Sequence, residues 1–295
     1  MKRRLFLQTG LACSAGLAFS RSHADEGDGA DSPAPLVSFG LFTDCHHAEK
    51  TTAGSRHYAL TLEKMERMLA DFQEAELDFV IQLGDCIDAS GSPDEDRQFL
   101  RAFDEAYAAF EGPRYYVLGN HCLDHLTKDE FFAETSATVR ESYYTFIQGG
   151  VRFLVLDADF RSDGQPYAAG NYSWTDSFIP ASEMDWIRET LASNESGTPI
   201  VAFLHQNLQD PENPHGVKNG AEVRAILESS SDVKAVFQGH MHTGGFSEIN
   251  GIAYCTQKAL VEQASLEDFP YAIVSIYEDD RIEIEGFGRE IAREL

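Results

Sequence analysis

Five apolar runs in this chain each stop at residues that can bind a metal ion. PLVSFGLFTD (35–44) leads into Asp44-Cys45-His46, DFVIQLGD (78–85) into Asp85-Cys86-Ile87-Asp88, and RYYVLGN (114–120) into Asn120-His121. Later, TPIVAFLHQ (198–206) carries His205 near its end, and VKAVFQGH (233–240) leads into His240-Met241-His242. Short, nearly continuous apolar runs are the mark of strands buried on both faces. Open α/β sheets gather ligands at the carboxyl ends of their strands, so these side chains converge if the strands share a sheet rim.

Helical patterns separate the early runs. In residues 57–75, Leu62, Met65, Leu69 and Phe72 make one apolar stripe. Ser92-Pro93 is a cap-like start for a helix over 94–110, and Ser182 caps one predicted over 182–193. A further helix lies within 216–229. Residues 142–158 read as two strands joined across Gly149-Gly150, 251–257 as a strand, and 271–287 as a hairpin turning at Asp279-Asp280. A β-α-β-α-β order followed by hairpins predicts a mixed α/β domain, which two sheets packed face to face between helices would accommodate.

At 295 residues and 43% hydrophobic, the chain can bury a sizeable core. Its formal net charge of -26 repels a phosphate backbone, so no nucleic-acid partner is expected. Lys2, Arg3 and Arg4 precede an apolar stretch, and Ser22-His23-Ala24 resembles a cleavage site. RRLFLQ (3–8) resembles a twin-arginine export signal. Residues 1–24 are therefore expected to be a signal, 25–35 an Asp/Gly/Pro-rich linker and 36–295 the folded domain, in a periplasmic or extracellular protein. No stable membrane span is expected once the signal is removed.

Asp, Asn and His together suit manganese, iron or zinc. They are too many for one tetrahedral zinc, and the count fits two metals with one carboxylate between them. Gly84, Gly119 and Gly239 beside the ligands allow tight turns and close backbone approach. Cys45, Cys86 and Cys122 each adjoin one of these blocks, and Cys255 makes the number outside the signal even. Three readings stand for them: small apolar filler, which is the simplest, a disulfide near the metals, or a soft ligand favouring zinc.

With these blocks in order, the sequence resembles the calcineurin-like metallophosphoesterase superfamily. Its signature of D-x-H, G-D-x-x-D, G-N-H-[DE], a lone H and G-H-x-H is met by DCH, GDCID, GNHCLD, LHQ and GHMH, spanning 44–242. The resemblance implies a four-layer α/β/β/α sandwich and a centre of two divalent cations (Mn, Fe or Zn). Asp44, His46 and His242 would bind the first metal, Asn120, His205 and His240 the second, and Asp85 would bridge. His121 would contact a phosphate oxygen and protonate the leaving group. The family usually places an acid directly after G-N-H; here that residue is Cys122, and the nearest acid is Asp124. If Asp124 orients His121, acid catalysis is kept.

The implied reaction is hydrolysis of phosphate esters, with a hydroxide bridging the metals attacking phosphorus in line. The partner is a small phosphorylated molecule. Residues 55–88 also look similar to the manganese-dependent ADP-ribose/CDP-alcohol diphosphatases, although those typically carry D-x-Q where this chain keeps His46. Phosphomonoesters, phosphodiesters and nucleotide diphosphate compounds therefore stand as competing substrates. A metal-stabilised scaffold without turnover is the alternative, since the superfamily includes such members. His47, His57, His125 and His215 are expected to be structural or solvated, and Trp174 and Trp186 to belong to the core. Arg56 and Tyr58 read as a surface helix start, and Lys258, Asn207 and Asn219 as loop residues of weak functional promise.

Overall fold

The structure, a computed structural model, describes residues 33–210 and 212–295. The expected signal, and the linker apart from its last three residues, lie outside the described residues. The chain runs β1 (Val37–Phe42), α1 (Thr61–Glu74), β2 (Phe79–Gln82), α2 (Pro93–Tyr107), β3 (Arg114–Tyr116) and α3 (Lys128–Ala133). The hairpin β4 (Tyr144–Gln148) and β5 (Val151–Val155) follows, then α4 (Ala181–Ala192), β6 (Ile200–Phe203), α5 (Gly220–Leu227) and β7 (Val233–Gln238). β8 (Thr243–Ile249), β9 (Ile252–Lys258), β10 (Tyr271–Ile276), β11 (Ile282–Phe287) and β12 (Arg293–Glu294) complete it. Among the described residues no helix is long and apolar enough to cross a membrane.

Two mixed sheets of six strands each result, in the orders β12-β11-β10-β1-β2-β3 and β4-β5-β6-β7-β9-β8. Three apolar clusters fill the three spaces of a four-layer α/β/β/α sandwich. Between the sheets, Phe39 stacks on Phe79 of its own sheet (ring centroids 4.8 Å apart) and meets Phe153 and Phe203 of the other edge-on at 5.6 Å. Outside the first sheet, Phe42 and Val80 pack against Met65, Phe72, Leu100 and Phe103 of α1 and α2. Outside the second, Ala202 and Val236 pack against Ile187 and Val223 of α4 and α5. Strands covered on both faces need apolar residues at every position, which is why their sequences run without alternation.

Four details differ from the sequence expectations. The five ligand-bearing strands do not share one rim: β1, β2 and β3 lie in one sheet, β6 and β7 in the other. Convergence happens across the sandwich, at the end where both sheets present their carboxyl edges. The strands also stop two to four residues before the ligands, which stand on the connecting turns. Ser182 is not the cap of α4; the helix begins at Ala181, with Pro180 before it and no side-chain cap. Ser92 does cap α2, accepting from Glu95 N at 3.3 Å. Last, β8 was not expected, because TGGFSEI has no apolar run; it is a largely exposed edge paired with β9.

One buried cation ties a helix to the site. Lys64 of α1 is fully buried, and its ammonium donates to the carbonyls of Leu260 (2.7 Å), Glu262 (3.0 Å) and Gln263 (2.9 Å). Three donors meet three acceptors, so the loop after β9 is held at a fixed height over the strand ends. Elsewhere a buried carboxylate is poorly compensated. Asp159, beyond β5, accepts from Gln206 Nε2 at 2.6 Å, but its other oxygen has no partner. Burial, then neighbouring Asp157, push its carboxyl up to about 7, against the opposing pull of Lys128 and His205.

Replacing Lys64 by Met leaves three carbonyls without their donor and is expected to lower stability by about 2–4 kcal/mol in urea unfolding. The Asp159 carboxyl ionises near pH 4 in the unfolded chain but near 7 in the fold. Over that window the unfolded state releases the proton first, so this group makes stability fall as pH rises from about 4 to 7. Asp159→Asn is expected to flatten that slope and to raise the melting temperature at pH 8; an unchanged pH profile would contradict the assignment.

Candidate metal centre

The turns that follow the strands are built against the backbone's preference. Asp44 (φ 50°), His46 (φ 46°), Asp85 (φ 49°) and His240 (φ 65°) all adopt left-handed conformations. Each such non-glycine residue costs about 1–3 kcal/mol and persists only where its surroundings hold it. Here backbone hydrogen bonds lace the turns together: Asp44 N to Gly84 O (3.1 Å), His46 N to Asp85 O (2.8 Å) and Gly239 N to His205 O (2.9 Å). The sheets are joined at the same place by Leu260 N to Thr43 O (3.0 Å) and Val261 N to Asp44 O (3.0 Å). Two glycines make the close approach possible. A Cβ on Gly239 would sit 2.2 Å from Thr43 Oγ1 and 2.8 Å from Asp44 Oδ2, and one on Gly119 would sit 2.4 Å from Asp85 N and Oδ1.

The seven predicted ligands meet in one cluster. Asp44, His46 and His242 bring one donor atom each to within 4.8 Å of the others, and Asp85, His205 and His240 do the same. Asp44 Oδ1 lies 3.6 Å from His46 Nε2 and 3.4 Å from His242 Nε2. Asp85 Oδ2 lies 3.1 Å from His205 Nε2 and 3.7 Å from His46 Nε2, within reach of both groups. Asn120 lines the same cavity and is buried, with neither amide atom satisfied.

Two observations test whether this arrangement suits cations. First, imidazole nitrogens face each other: His46 Nε2 to His242 Nε2 and His205 Nε2 to His240 Nδ1, both at 3.2 Å. His205 Nδ1 donates to Leu83 O (2.7 Å) and His242 Nδ1 to Glu262 Oε1 (2.6 Å), so in the neutral rings the facing Nε2 atoms carry lone pairs. Donors bound at about 2.1 Å to one ion lie roughly 3.0–3.4 Å apart, so this spacing fits a shared cation. Second, Asp44 Oδ1 is buried without a hydrogen-bond partner. The residues present fit divalent cations.

The electrostatics agree. Burial pushes the Asp44 and Asp85 carboxyls up, but the facing histidines, His205 foremost, outweigh it and hold both well below the usual carboxylate range. Burial lowers His205 as well, yet Asp85 and Asp44 draw it up to about 10. His240, buried and beside His205, is pushed down to about 3. Two permanent carboxylates thus pull positive charge into a water-poor space.

His121 stands at the edge of this cluster and reaches the cavity. Its Nδ1 lies 3.0 Å from Asp124 Oδ2 and 3.1 Å from Asp88 Oδ1. Tyr172 O–H donates to the other oxygen of Asp124. Burial lowers the His121 imidazole, but Asp85, Asp124 and Asp88 together raise it well above its ordinary value. Asp124 therefore occupies the orienting place left by Cys122, and Asp88 shares it. Cys45, Cys86, Cys122 and Cys255 are all buried and free, with Cys86 Sγ 3.5 Å from Cys122 Sγ. Burial pushes the Cys45 and Cys86 thiols well up, which fits apolar filler better than thiolate ligands.

Other residues divide between those that sort as expected and those that do not. Arg56, Trp174 and His215 line the cavity beside the metal cluster, so none of them is remote surface or core. His47 packs edge-on against Phe99, and burial lowers it to about 4. His125 pairs with Asp96 at 2.8 Å, and Asn219 bonds both backbone groups of Ile179, so both are structural. Tyr58 is buried, and Trp186 packs on Tyr143. Glu262 was not foreseen: a lone acid in Val261-Glu262-Gln263 carries no local signal, and only the fold brings it to His242.

Comparison with known proteins fits this geometry. A family model described as calcineurin-like phosphoesterase matches residues 37–244. The manganese-dependent ADP-ribose/CDP-alcohol diphosphatase of Arabidopsis thaliana is 26% identical over 298 residues, 86% of this chain and 95% of that protein. The 3',5'-cyclic adenosine monophosphate phosphodiesterase CpdA of Haemophilus influenzae is 25% identical over 224 residues, 74% of each chain. A solved dimetal phosphatase from Danio rerio shares the fold, with a TM-score of 0.77 at 18% identity over 88% of this chain and 99% of that one. The family match spans all five sequence blocks and both sheets that carry them, and this chain belongs to the calcineurin-like phosphoesterases, a family of hydrolases.

Proposed function

We propose that this protein hydrolyses a P–O bond of a small phosphorylated substrate at a centre of two divalent cations. The observation that carries the reading is the pair of buried donor groups with Asp85 Oδ2 within reach of both. Asp44, His46 and His242 would hold one cation and Asn120, His205 and His240 the other, with Asp85 within reach of both groups. Cations bound there neutralise phosphoryl oxygens and acidify water, which is the chemistry the reaction requires.

The protein's own groups supply order and a proton. Leu83 O and Glu262 fix the tautomers of His205 and His242, so their Nε2 atoms present lone pairs inward. His121, with Nδ1 committed to Asp124 and Asp88, has Nε2 left to meet the substrate. Kept protonated by those carboxylates, it donates to the leaving oxygen. Asp124 is a positioning residue, locked in turn by Tyr172. The relatives matched over most of their length are named for a diphosphate and a cyclic diester, which supports such a substrate here, while others matched over a smaller share are named protein phosphatases.

Metal content of the purified protein, read with hydrolysis of ADP-ribose, bis-p-nitrophenyl phosphate and p-nitrophenyl phosphate in manganese, tests this. About two metals per chain and turnover of the first or second compound are expected. Asp85→Asn is expected to lose paired metal and activity together, while His121→Ala keeps metal and loses about 100-fold or more in kcat. Parental rates in both variants would refute the assignment. Glu262→Gln is expected to weaken metal binding about 10- to 100-fold with an unchanged circular dichroism spectrum. Chelation of the parent should lower its melting temperature, and that shift should shrink in Glu262→Gln.

A further inference from the structure

The cavity over the metal cluster, about 310 Å³ in volume, has one wall that phosphate chemistry does not use. Trp174 lies on it with 47% of its surface exposed, one of four exposed large apolar side chains among the described residues. Its ring stands against His215 at 5.0 Å between centroids and 30° between planes, and His215 stands against His240 at 5.0 Å and 67°. The indole is thus backed by an imidazole that itself rests on a metal-site residue.

The turn carrying Trp174 is pinned. Tyr167 O–H donates to Ser173 O at 2.9 Å, and Asp176 N donates to Ser173 O at 2.8 Å. His215 is held likewise, its N–H donating to Asn213 Oδ1 at 3.0 Å. Two loops, themselves joined by Lys218 N donating to Ser177 O at 2.9 Å, therefore fix a tilted pair of rings beside the place where a phosphate would sit. An exposed indole face held rigidly in a polar cavity gains by covering itself with another flat ring, worth about 1–3 kcal/mol per stacked base. An aliphatic phosphomonoester offers nothing to that face.

We propose that Trp174 and His215 form an aromatic subsite that stacks a flat heteroaromatic ring of the substrate, making the substrate a nucleoside phosphate compound. This rests on the metal-site reading, which places the phosphate beside the rings.

The test uses the manganese-loaded protein carrying Trp186→Phe, which leaves Trp174 as the sole tryptophan of the two in the chain. AMP, ribose 5-phosphate and inorganic phosphate are titrated by fluorescence and by calorimetry. AMP is expected to quench the emission and to bind about 5- to 150-fold more tightly than ribose 5-phosphate. Trp174→Ala is expected to bring AMP to the affinity of ribose 5-phosphate while leaving the latter unchanged, and Trp174→Phe to keep most of the preference. Equal affinities in the parent, or a preference that survives Trp174→Ala, would overturn the aromatic subsite alone. Failure of all three compounds to bind would overturn the metal-site reading and this inference with it.

Discussion

Two carboxylates buried where two sheets meet, Asp44 and Asp85, are the constraint on which the rest of this structure turns. An ionised carboxylate taken out of water is costly unless it is met by positive charge or hydrogen-bond donors. Each keeps one oxygen satisfied by the protein: Asp44 Oδ2 accepts from Thr43 Oγ1 and His240 N, and Asp85 Oδ1 accepts from His121 N. Each turns its other oxygen toward imidazoles that present lone pairs or bind a proton. The arrangement groups donor atoms as a set that could hold a metal ion.

Holding it takes structure from every layer. The left-handed turns aim successive side chains inward, and bare glycines let two backbones pass where a methyl group would collide. Lys64 reaches from the helix layer to fasten the loop that carries Glu262, and Glu262 orients His242. A helix residue thereby governs an imidazole on the opposite sheet through one loop. The aromatic packing between the sheets sets their separation and brings the two sets of strand ends within bonding distance.

The family's usual acid after G-N-H is absent, and the fold shows how the loss is absorbed. The short helical turn Asn120–Leu123 brings Asp124 back under the His121 ring, and Asp88 approaches the same nitrogen from the β2 turn. Cys122 instead faces inward to the core beside Cys86. Position in sequence and position in space have been exchanged without changing the group that orients the imidazole.

The strands buried on both faces, the helical stripe of α1 and the residue types at the strand ends were legible in the sequence. They follow from local periodicity and from chemistry that each short block carries within itself. Met65, Leu69 and Phe72 are buried as the stripe predicts, and the seven ligand positions come together. The sequence showed two sheets too, but not which of these strands lies in which sheet, because pairing is a long-range choice that no local pattern records. Nor did it mark β8, whose exposed edge has no apolar run, or Glu262, whose role depends on a partner 20 residues away in the chain. Trp174 reads as a core residue and His215 as a structural or solvated one, since an aromatic side chain looks the same in sequence whether it faces a core or a cavity. The chain by itself determined which groups are available for chemistry. The tertiary structure decided which of them share one water-poor space, because only packing two sheets together sets distances between residues far apart in sequence.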